Sequence, residues 1–249
     1  NTTPFLAKLA KQSLVVDREY TVLPHTSKAI VSILCGMTPY PGNKRIESTP
    51  GILPKQCMAH ILRGQGYKTA YFQPAMDFED RSGLVKNMGF ETFRGLSDMK
   101  TEGFEKTSYF GREDKIMVAP SLEWVDSVKG EPFFLAYMTL ASHHNYVTPQ
   151  SFPRIDYPET DPDHVNYLNA IRYIDDVVRE IVEGFEKRGL LENTVFFIVG
   201  DHGEAFAEHA RRQHDLIMWE EGLRTESLIY GPGLFPTPGR IEGLRSHLD

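Results

Sequence analysis

Two adjacent residues, Asp201 and His202, follow the apolar segment 194–199 (TVFFIV) and lie between glycines. Carboxylate oxygen and neutral imidazole nitrogen are ligands that suit Zn²⁺ or Mn²⁺. The sequence therefore predicts that both side chains turn towards one divalent cation, with Mg²⁺ and Ca²⁺ as further candidates. The alternative is a polar turn in which Asp201 caps the next helix.

Two further histidines, His143 and His144, follow a second apolar segment, residues 132–140 (PFFLAYMTL). Ligands of open α/β sheets bind beyond the carboxyl ends of the strands, so these histidines are candidates for contacting an anionic substrate or protonating a leaving group. A histidine pair in a loop is otherwise a solvated surface feature. The functional interpretation is favoured here because we expect the histidine pair at the same sheet edge as Asp201 and His202.

Two hydroxyl residues, Thr26 and Ser27, precede the apolar stretch 30–34. A helix that begins at either residue would hold the hydroxyl in the field of free backbone N–H groups. That position suits a bound phosphate or sulfate, and also a hydroxyl that must become an alkoxide beside a metal. A simple N-cap explains the residue types equally well. Further along, the spacing around His214 is that of an exposed loop histidine.

The segments between these residues alternate between helix and strand patterns. Residues 53–66 place apolar side chains on one helical face and end at glycine, and residues 163–188 contain a longer amphipathic helix. The strand patterns are residues 67–72, 132–140, 194–199 and 228–230. Helix followed by buried strand, repeated, predicts an α/β fold with a mostly parallel central sheet and helices on both faces. Residues 82–120 are polar and irregular, and we expect surface structure or a substrate-side insertion there.

The composition excludes several classes of protein. The 249 residues include 27 Lys+Arg and 34 Asp+Glu, a formal net charge of −7, and no basic stripe that would bind nucleic acid. Apolar residues make up 41%, as in soluble globular proteins, and no apolar run approaches the ~18 residues of a membrane helix. Cys35 and Cys57 are too few for a disulfide framework; they are half-buried apolar residues or, in an oxidising compartment, one bridge.

Residues 199–233 (VGDHGEAFAEHARRQHDLIMWEEGLRTESLIYGPG) resemble the metal-binding segment of the sulfatase-like branch of the alkaline phosphatase superfamily. Residues 53–74 are similar to that family's helix, "GY-x-T" segment and strand, and residues 86–90 to its "GF" segment. The resemblance covers most of the chain and is most specific in its carboxyl half. It implies an alkaline phosphatase-like fold.

The resemblance also implies roles for individual residues. Asp201 and His202 would be metal ligands, His143 and His214 would contact the phosphate or sulfate, and Thr26 would be both the covalent nucleophile and a metal ligand. The segment around Thr26 is similar to the nucleophile segments of lipoteichoic acid synthases and phosphoethanolamine transferases. Sulfatases proper carry a C-x-P-S-R pattern that this sequence lacks, which favours phosphoryl transfer. The alternative nucleophile is Ser27.

The family's first strand ends in an acidic metal ligand, several tens of residues before the nucleophile. Residues 1–20 instead resemble the helix and strand that follow it. We therefore expect residues 1–249 to be a single sulfatase-like catalytic domain that is a fragment, without that first strand and without the C-terminal part. Asp17 and Glu19 are the acidic substitutes at hand, but their setting is that of surface residues.

These expectations describe a metal-dependent phosphotransferase or phosphodiester hydrolase that acts through a phospho-threonine intermediate. One alternative is a sulfuric ester hydrolase, and another class is a non-catalytic domain that binds an anionic glycan or lipid headgroup. The substrate would be a phosphate or sulfate ester, lipid- or glycan-linked, with no nucleic acid partner and no membrane span in this chain. From the resemblance alone, the location would be extracytoplasmic (periplasmic or cell surface), with a membrane tether in the full-length protein.

Overall fold

The structure is a computed structural model that describes residues 1–42, 46–54, 56–214 and 217–249. The helices are α1 (Pro4–Leu9), α2 (Thr26–Cys35), α3 (Met58–Gly64), α4 (Arg81–Asn87), α5 (Val118–Ser127), α6 (Pro162–Glu186) and α7 (Glu220–Leu223). The strands are β1 (Leu14–Tyr20), β2 (Lys68–Phe72), β3 (Thr92–Arg94), β4 (Phe133–Tyr137), β5 (Phe196–Val199), β6 (Ala205–Phe206), β7 (Arg212–Gln213), β8 (Arg224–Thr225), β9 (Ser227–Tyr230) and β10 (Gly239–Ser246).

The chain divides into two units, each built on its own sheet. The first unit contains Asn1–Thr3 and Ile46–Ile181, and the second contains Pro4–Arg45 and Val182–Asp249. Because the second unit is made from two separate stretches of chain, residues distant in sequence meet within it.

The first unit has a three-stranded sheet in the order β3-β2-β4, with both pairs parallel. The central strand β2 is buried, as its aromatic residues Tyr71 and Phe72 predict. Phe72 joins a core cluster with Ile116 and Met117, against which Trp124 packs. This core fixes the start of α5 and the strand β4 whose carboxyl end carries the predicted histidines.

The second unit has a five-stranded sheet in which β10-β1-β9-β5 are neighbours and β8 pairs with β1. β10 is parallel to β1, whereas β9 is antiparallel to both β1 and β5. The short strand β8 pairs with the end of β1, where Glu19 lies opposite Thr225. This arrangement brings the carboxyl end of β1 close to the segment that follows β5.

The α/β pattern read from the sequence is present, with differences at particular elements. The helix predicted over residues 53–66 begins only at Met58, as expected of a segment that contains Pro54; Lys55 lies outside the described residues. Residues 82–120 were expected to be irregular, and this was wrong, because they contain most of α4, all of β3 and the start of α5. β10 was not predicted at all.

Both cysteines, Cys35 and Cys57, are disulfide-bonded and buried. The interpretation of both residues as free, half-buried apolar side chains was therefore wrong. Among the residues that the structure describes, no helix is both long enough and apolar enough to span a bilayer.

Candidate metal and nucleophile site

The carboxyl end of β5 leads directly into the residues predicted to bind a metal. Asp201 Oδ1 accepts a hydrogen bond from the backbone N–H of His202 (3.0 Å), and Asp201 Oδ2 lies 3.2 Å from His202 Nε2. His202 Nδ1 lies 2.8 Å from the carbonyl oxygen of Gly203. A carbonyl only accepts, so Nδ1 carries a proton, and Nε2 is the ring nitrogen that faces the Asp201 carboxylate.

Thr26 is the first residue of α2 and faces the same point. Its Oγ1 lies 3.3 Å from His202 Nε2, and its hydroxyl is hydrogen-bonded to Asp201. The N-cap of α2 is His25, so the structure gives Thr26 a position just inside the helix rather than the capping role. Ser27, the alternative nucleophile, is buried.

The three donor atoms have the spacing that a small divalent cation requires. A tetrahedral zinc site with bonds of about 2.0 Å separates neighbouring ligand atoms by about 3.3 Å. The separations of His202 Nε2 from Asp201 Oδ2 and Thr26 Oγ1 are 3.2 Å and 3.3 Å. A carboxylate oxygen and an imidazole lone pair both donate electron pairs, so they are stable this close when a cation or a proton lies between them. The residues present therefore fit a divalent cation.

The β6–β7 hairpin adds a second pair of side chains to this site. His214 Nδ1 lies 2.8 Å from Glu204 Oε2, and both side chains are buried. The His214 ring stacks on the His202 ring with centroids 4.1 Å apart. Ligand atoms of His202, Glu204 and His214 all lie within 4.8 Å of one another, which makes these three residues a second candidate ligand set. His214 is thus not the exposed loop histidine that its spacing suggested, although Asp215 and Leu216 beyond it lie outside the described residues.

The electrostatics of the site favour a charged Asp201. Burial raises the pKa of this carboxyl, but the neighbouring imidazoles of His202 and His214 and the hydrogen bond from Thr26 act in the opposite direction. Together with the backbone N–H of His202, they hold the pKa of Asp201 below its usual value. The carboxylate is therefore available as an anionic ligand over the physiological pH range.

A buried polar network behind the site was not anticipated from the sequence. Glu19 is buried rather than on the surface as predicted, because β1 is covered by β8 and β10. The Thr225 hydroxyl donates to Glu19 Oε2 (3.4 Å) and lies 3.5 Å from His247 Nε2. His247 Nε2 donates in turn to the carbonyl of Gly200 (3.0 Å), the residue before Asp201.

Burial is also the main influence on the titration of this network. It raises the pKa of Glu19 against the opposing effect of the Ser227 and Thr225 hydroxyls, and it lowers the pKa of His247 to about 4. Asp17, the other acidic residue of β1 considered as a ligand, pairs with Arg240 instead. Among the described residues, neither Asp17 nor Glu19 contacts Asp201 or His202.

The predicted substrate contact His143 lies in the first unit, in the loop after β4. Its Nδ1 lies 3.1 Å from the carbonyl oxygen of His144, and its ring packs edge-on against Phe110 with centroids 5.0 Å apart. His144 Nε2 lies 2.5 Å from the hydroxyl of Tyr109. Thr26, Asp201, His202 and His214, by contrast, are brought together within the second unit.

Comparison with known proteins shows the family of this chain. The sulfatase family model matches residues 1–249. The lipoteichoic acid synthase of Staphylococcus saprophyticus is 26% identical over 181 residues, which are 71% of this chain and 26% of that protein. The chain thus spans about a quarter of the length of this curated relative.

Solved structures share the fold. The lipoteichoic acid synthase LtaP from Listeria monocytogenes superposes with a TM-score of 0.85 at 21% identity, over 100% of this chain and 64% of that one. The C-terminal periplasmic domain of EcEptC from Escherichia coli, a complex with zinc, has a TM-score of 0.69 at 18% identity, over 92% of this chain and 66% of that one. The predicted α/β, alkaline phosphatase-like fold class is confirmed. The chain belongs to the sulfatase family.

Proposed function

We propose that this protein transfers or hydrolyses a phosphoryl group, with Thr26 as the nucleophile and a divalent cation bound by Asp201, His202 and Thr26. The observation that carries the proposal is the convergence of the three side chains on one point, with the hydroxyl 3.3 Å from the imidazole nitrogen. An N-terminal helix position adds the partial positive charge of free N–H groups, which favours an alkoxide and a phosphate alike.

Asp201 and Thr26 have separate roles in the proposed reaction. A divalent cation, when bound, lowers the pKa of a hydroxyl and polarises a phosphoryl oxygen. Asp201 accepts the hydrogen bond of the Thr26 hydroxyl and so orients its oxygen. The Thr26 hydroxyl releases its proton to solvent as Oγ1 attacks phosphorus in line, and the bond from phosphorus to the leaving oxygen breaks. Water or an acceptor hydroxyl then attacks the phospho-threonine from the opposite side and regenerates Thr26.

His214 is suited to help the leaving oxygen depart. The Glu204 carboxylate accepts the proton of His214 Nδ1, which fixes the ring orientation and the tautomer and leaves Nε2 for the substrate. His143 remains a proposed contact to the phosphoryl group, on the ground of the resemblance. Glu204 and His214 are alternatively ligands of the cation together with His202.

The donor set favours Zn²⁺ or Mn²⁺ over Mg²⁺ and Ca²⁺, because imidazole suits the first two and the last two prefer oxygen alone. The zinc complex of the EcEptC domain supports this choice. We propose that residues 1–249 belong to one sulfatase-like catalytic domain. The proposed substrate is a phosphate ester linked to a lipid or glycan.

An extracytoplasmic location is proposed on two grounds. Disulfide-bonded Cys35 and Cys57 are typical of oxidising compartments. The EcEptC domain, which shares the fold, is periplasmic.

The test is hydrolysis of bis(p-nitrophenyl) phosphate and of p-nitrophenyl sulfate by the Zn²⁺- or Mn²⁺-loaded protein, compared with Thr26→Ala and Ser27→Ala. We expect the diester to be the better substrate, with activity lower by on the order of 10³-fold or more in Thr26→Ala and retained in Ser27→Ala. Peptide mapping of the protein trapped during turnover of the diester should find a p-nitrophenyl phosphoryl group on Thr26, because only one of the two nitrophenolates has left. A preference for the sulfate ester would favour a sulfatase. No turnover of either ester, with anion binding retained, would favour the non-catalytic alternative.

A further inference from the structure

Asp114 in the first unit is a fully buried acidic residue that holds two consecutive backbone amides. Its Oδ1 accepts a hydrogen bond from the N–H of Leu140 (2.6 Å), and its Oδ2 accepts one from the N–H of Ala141 (3.0 Å). A carboxylate that binds both amides at once fixes the plane and the position of the peptide between them.

The two amides lie beyond the end of β4, where the sheet no longer supplies partners. Leu140 and Ala141 are 6% and 4% exposed, so water has little access to their N–H groups. A buried N–H that loses its acceptor costs about 1–3 kcal/mol. Asp114 therefore supplies the two hydrogen-bond acceptors that a neighbouring strand would supply within a sheet.

The same peptide leads to His143. The carbonyl of Leu140 accepts the backbone N–H of His143 (2.9 Å), and the carbonyl of His143 accepts the N–H of Tyr146 (2.9 Å). A chain of hydrogen bonds thus runs from the Asp114 carboxylate, through the peptide of Leu140, to the backbone of His143. The direction in which the imidazole leaves the loop depends on this chain.

The neighbours of Asp114 in sequence contact other elements rather than the loop after β4. Glu113 Oε2 accepts a hydrogen bond from the Tyr173 hydroxyl (2.8 Å), and Lys115 Nζ forms ion pairs with Asp176 (2.7 Å) and Glu180 (2.6 Å) on α6. Burial raises the pKa of Asp114 to about 7, while the two amide hydrogen bonds oppose the rise. Burial of a carboxylate costs free energy, and the two amide hydrogen bonds offset part of that cost.

We propose that Asp114 is the positioning residue for His143. It acts by fixing the loop from Leu140 to Tyr146, so that the imidazole is presented in one orientation to the substrate. The proposal rests on the proposed function, in which His143 contacts the phosphoryl group.

The experiment compares Asp114→Asn with the matched control Glu113→Gln, both with bis(p-nitrophenyl) phosphate as substrate. Asparagine turns its amide group towards one backbone N–H and so loses one contact, whereas Glu113→Gln alters the adjacent buried carboxylate without touching the loop. We expect Asp114→Asn to lower kcat by about 10- to 100-fold, as small misplacements of catalytic groups do. KM and bound metal should stay within about 3-fold of the unmodified protein, and Glu113→Gln should keep kcat within the same range.

A double-mutant cycle separates positioning from general loss of structure. In a His143→Ala background, Asp114→Asn should lower kcat by less than about 2-fold, because the group that it positions is gone. An equal loss in both backgrounds would overturn the proposal. So would an equal loss in Glu113→Gln.

Amide hydrogen exchange in the unmodified protein needs no variant and no turnover. The N–H groups of Leu140 and Ala141 should exchange at least about 100-fold more slowly than that of Ser142 in the same loop. Fast exchange of both would overturn the proposal even if the protein proved active. Slow exchange with no Thr26-dependent turnover would instead retain the loop contact and reject the proposed function.

Discussion

The hydroxyl oxygen of Thr26 lies 3.3 Å from Nε2 of His202, although 176 residues separate the two in the chain. The other ring nitrogen of His202 donates to the Gly203 carbonyl, so Nε2 is the atom that faces the hydroxyl and the Asp201 carboxylate. This relationship links Thr26, the proposed nucleophile, to the candidate ligands.

Removing a candidate ligand should weaken metal binding. We expect His202→Ala and Asp201→Asn each to lower the affinity for Zn²⁺ or Mn²⁺ by at least about 100-fold, since even outer partners of a metal site are worth 10- to 100-fold. Isothermal titration of chelator-treated protein measures this directly. The matched control is His209→Ala, which removes a histidine hydrogen-bonded to Glu221 and stacked on Trp219. An unchanged affinity in His202→Ala would exclude the proposed ligand set.

The carboxylate of Glu204 should govern the tautomer of His214. In Glu204→Gln the acceptor of the Nδ1 proton is a neutral amide, so the charge-assisted hydrogen bond is lost. Nitrogen chemical shifts of labelled histidine should show a mixture of tautomers for His214 in this variant and a single Nδ1–H form before the change. We also expect kcat to fall by about 10-fold or more. Glu208→Gln, which alters the hairpin residue that accepts the N–H of Phe206, should change neither.

Two glycines on either side of the ligand pair should respond differently to alanine. A Cβ at Gly203 would overlap the carbonyl oxygen of Glu221 and approach that of Arg224, and these are backbone atoms that cannot move aside. At Gly200 a Cβ would meet Thr225 at 3.6 Å, an ordinary contact.

We therefore expect Gly203→Ala to lower the free energy of unfolding by about 3 kcal/mol and Gly200→Ala by less than about 1 kcal/mol. Denaturant titration of the two variants side by side measures the difference. Equal stability of the two would contradict the close approach of β5 to the α7–β8 segment.

Stability should fall as the pH rises through the range in which Asp114 titrates. Its pKa is raised from 3.8 to about 7 in the folded protein, so between these values the folded state binds more protons than the unfolded state. The contribution of Asp114 to stability is therefore present at low pH and is lost as the pH approaches 7. At about 1.4 kcal/mol for each pKa unit, the change amounts to a few kcal/mol.

The measurement is the free energy of unfolding at pH 5 and at pH 8, for the unmodified protein and for Asp114→Asn. Other groups titrate over this range, so the relevant quantity is the difference between the two proteins. The unmodified protein should lose more stability than the variant on raising the pH. The same loss in both would mean that Asp114 does not carry a raised pKa.

Asp201 and His202 could be predicted as candidate ligands because they are adjacent in the sequence. Asp201 and His202 directly follow an apolar strand and are flanked by glycines, and the rule that ligands bind beyond the carboxyl ends of strands then locates them. The apolar helical pattern indicated that Thr26 and Ser27 lie at a helix N-terminus, and only the family resemblance favoured Thr26.

The pairing of Glu204 with His214 could not be predicted, because the hairpin that creates it lacks the usual turn residues. Ala207, Ala210 and Gln213 adopt positive φ angles of 85°, 56° and 67°, conformations that sequence analysis assigns to glycine and asparagine. Each strand of the hairpin is only two residues long, which is too short for any alternation to be recognised.

The burial of Glu19 and of Asp114 could not be predicted from the sequence, for a related reason. Both are acidic residues in polar surroundings, and what buries them is contributed by distant segments: β8 and β10 for Glu19, and the loop after β4 for Asp114. β10 was missed because its exposed and half-buried residues alternate without strong apolar character. Sequence periodicity reports local burial well, but it cannot show which later segment will cover a given side chain.

The division of the second unit into Pro4–Arg45 and Val182–Asp249 has a consequence for how the site arises during synthesis. A ribosome releases Thr26 long before it releases Asp201 and His202, and the sheet that joins them needs β9, which comes later still. A partly made chain therefore carries Thr26 without Asp201 and His202, and the candidate site cannot yet form. Assembly of the candidate site and completion of the sheet therefore coincide.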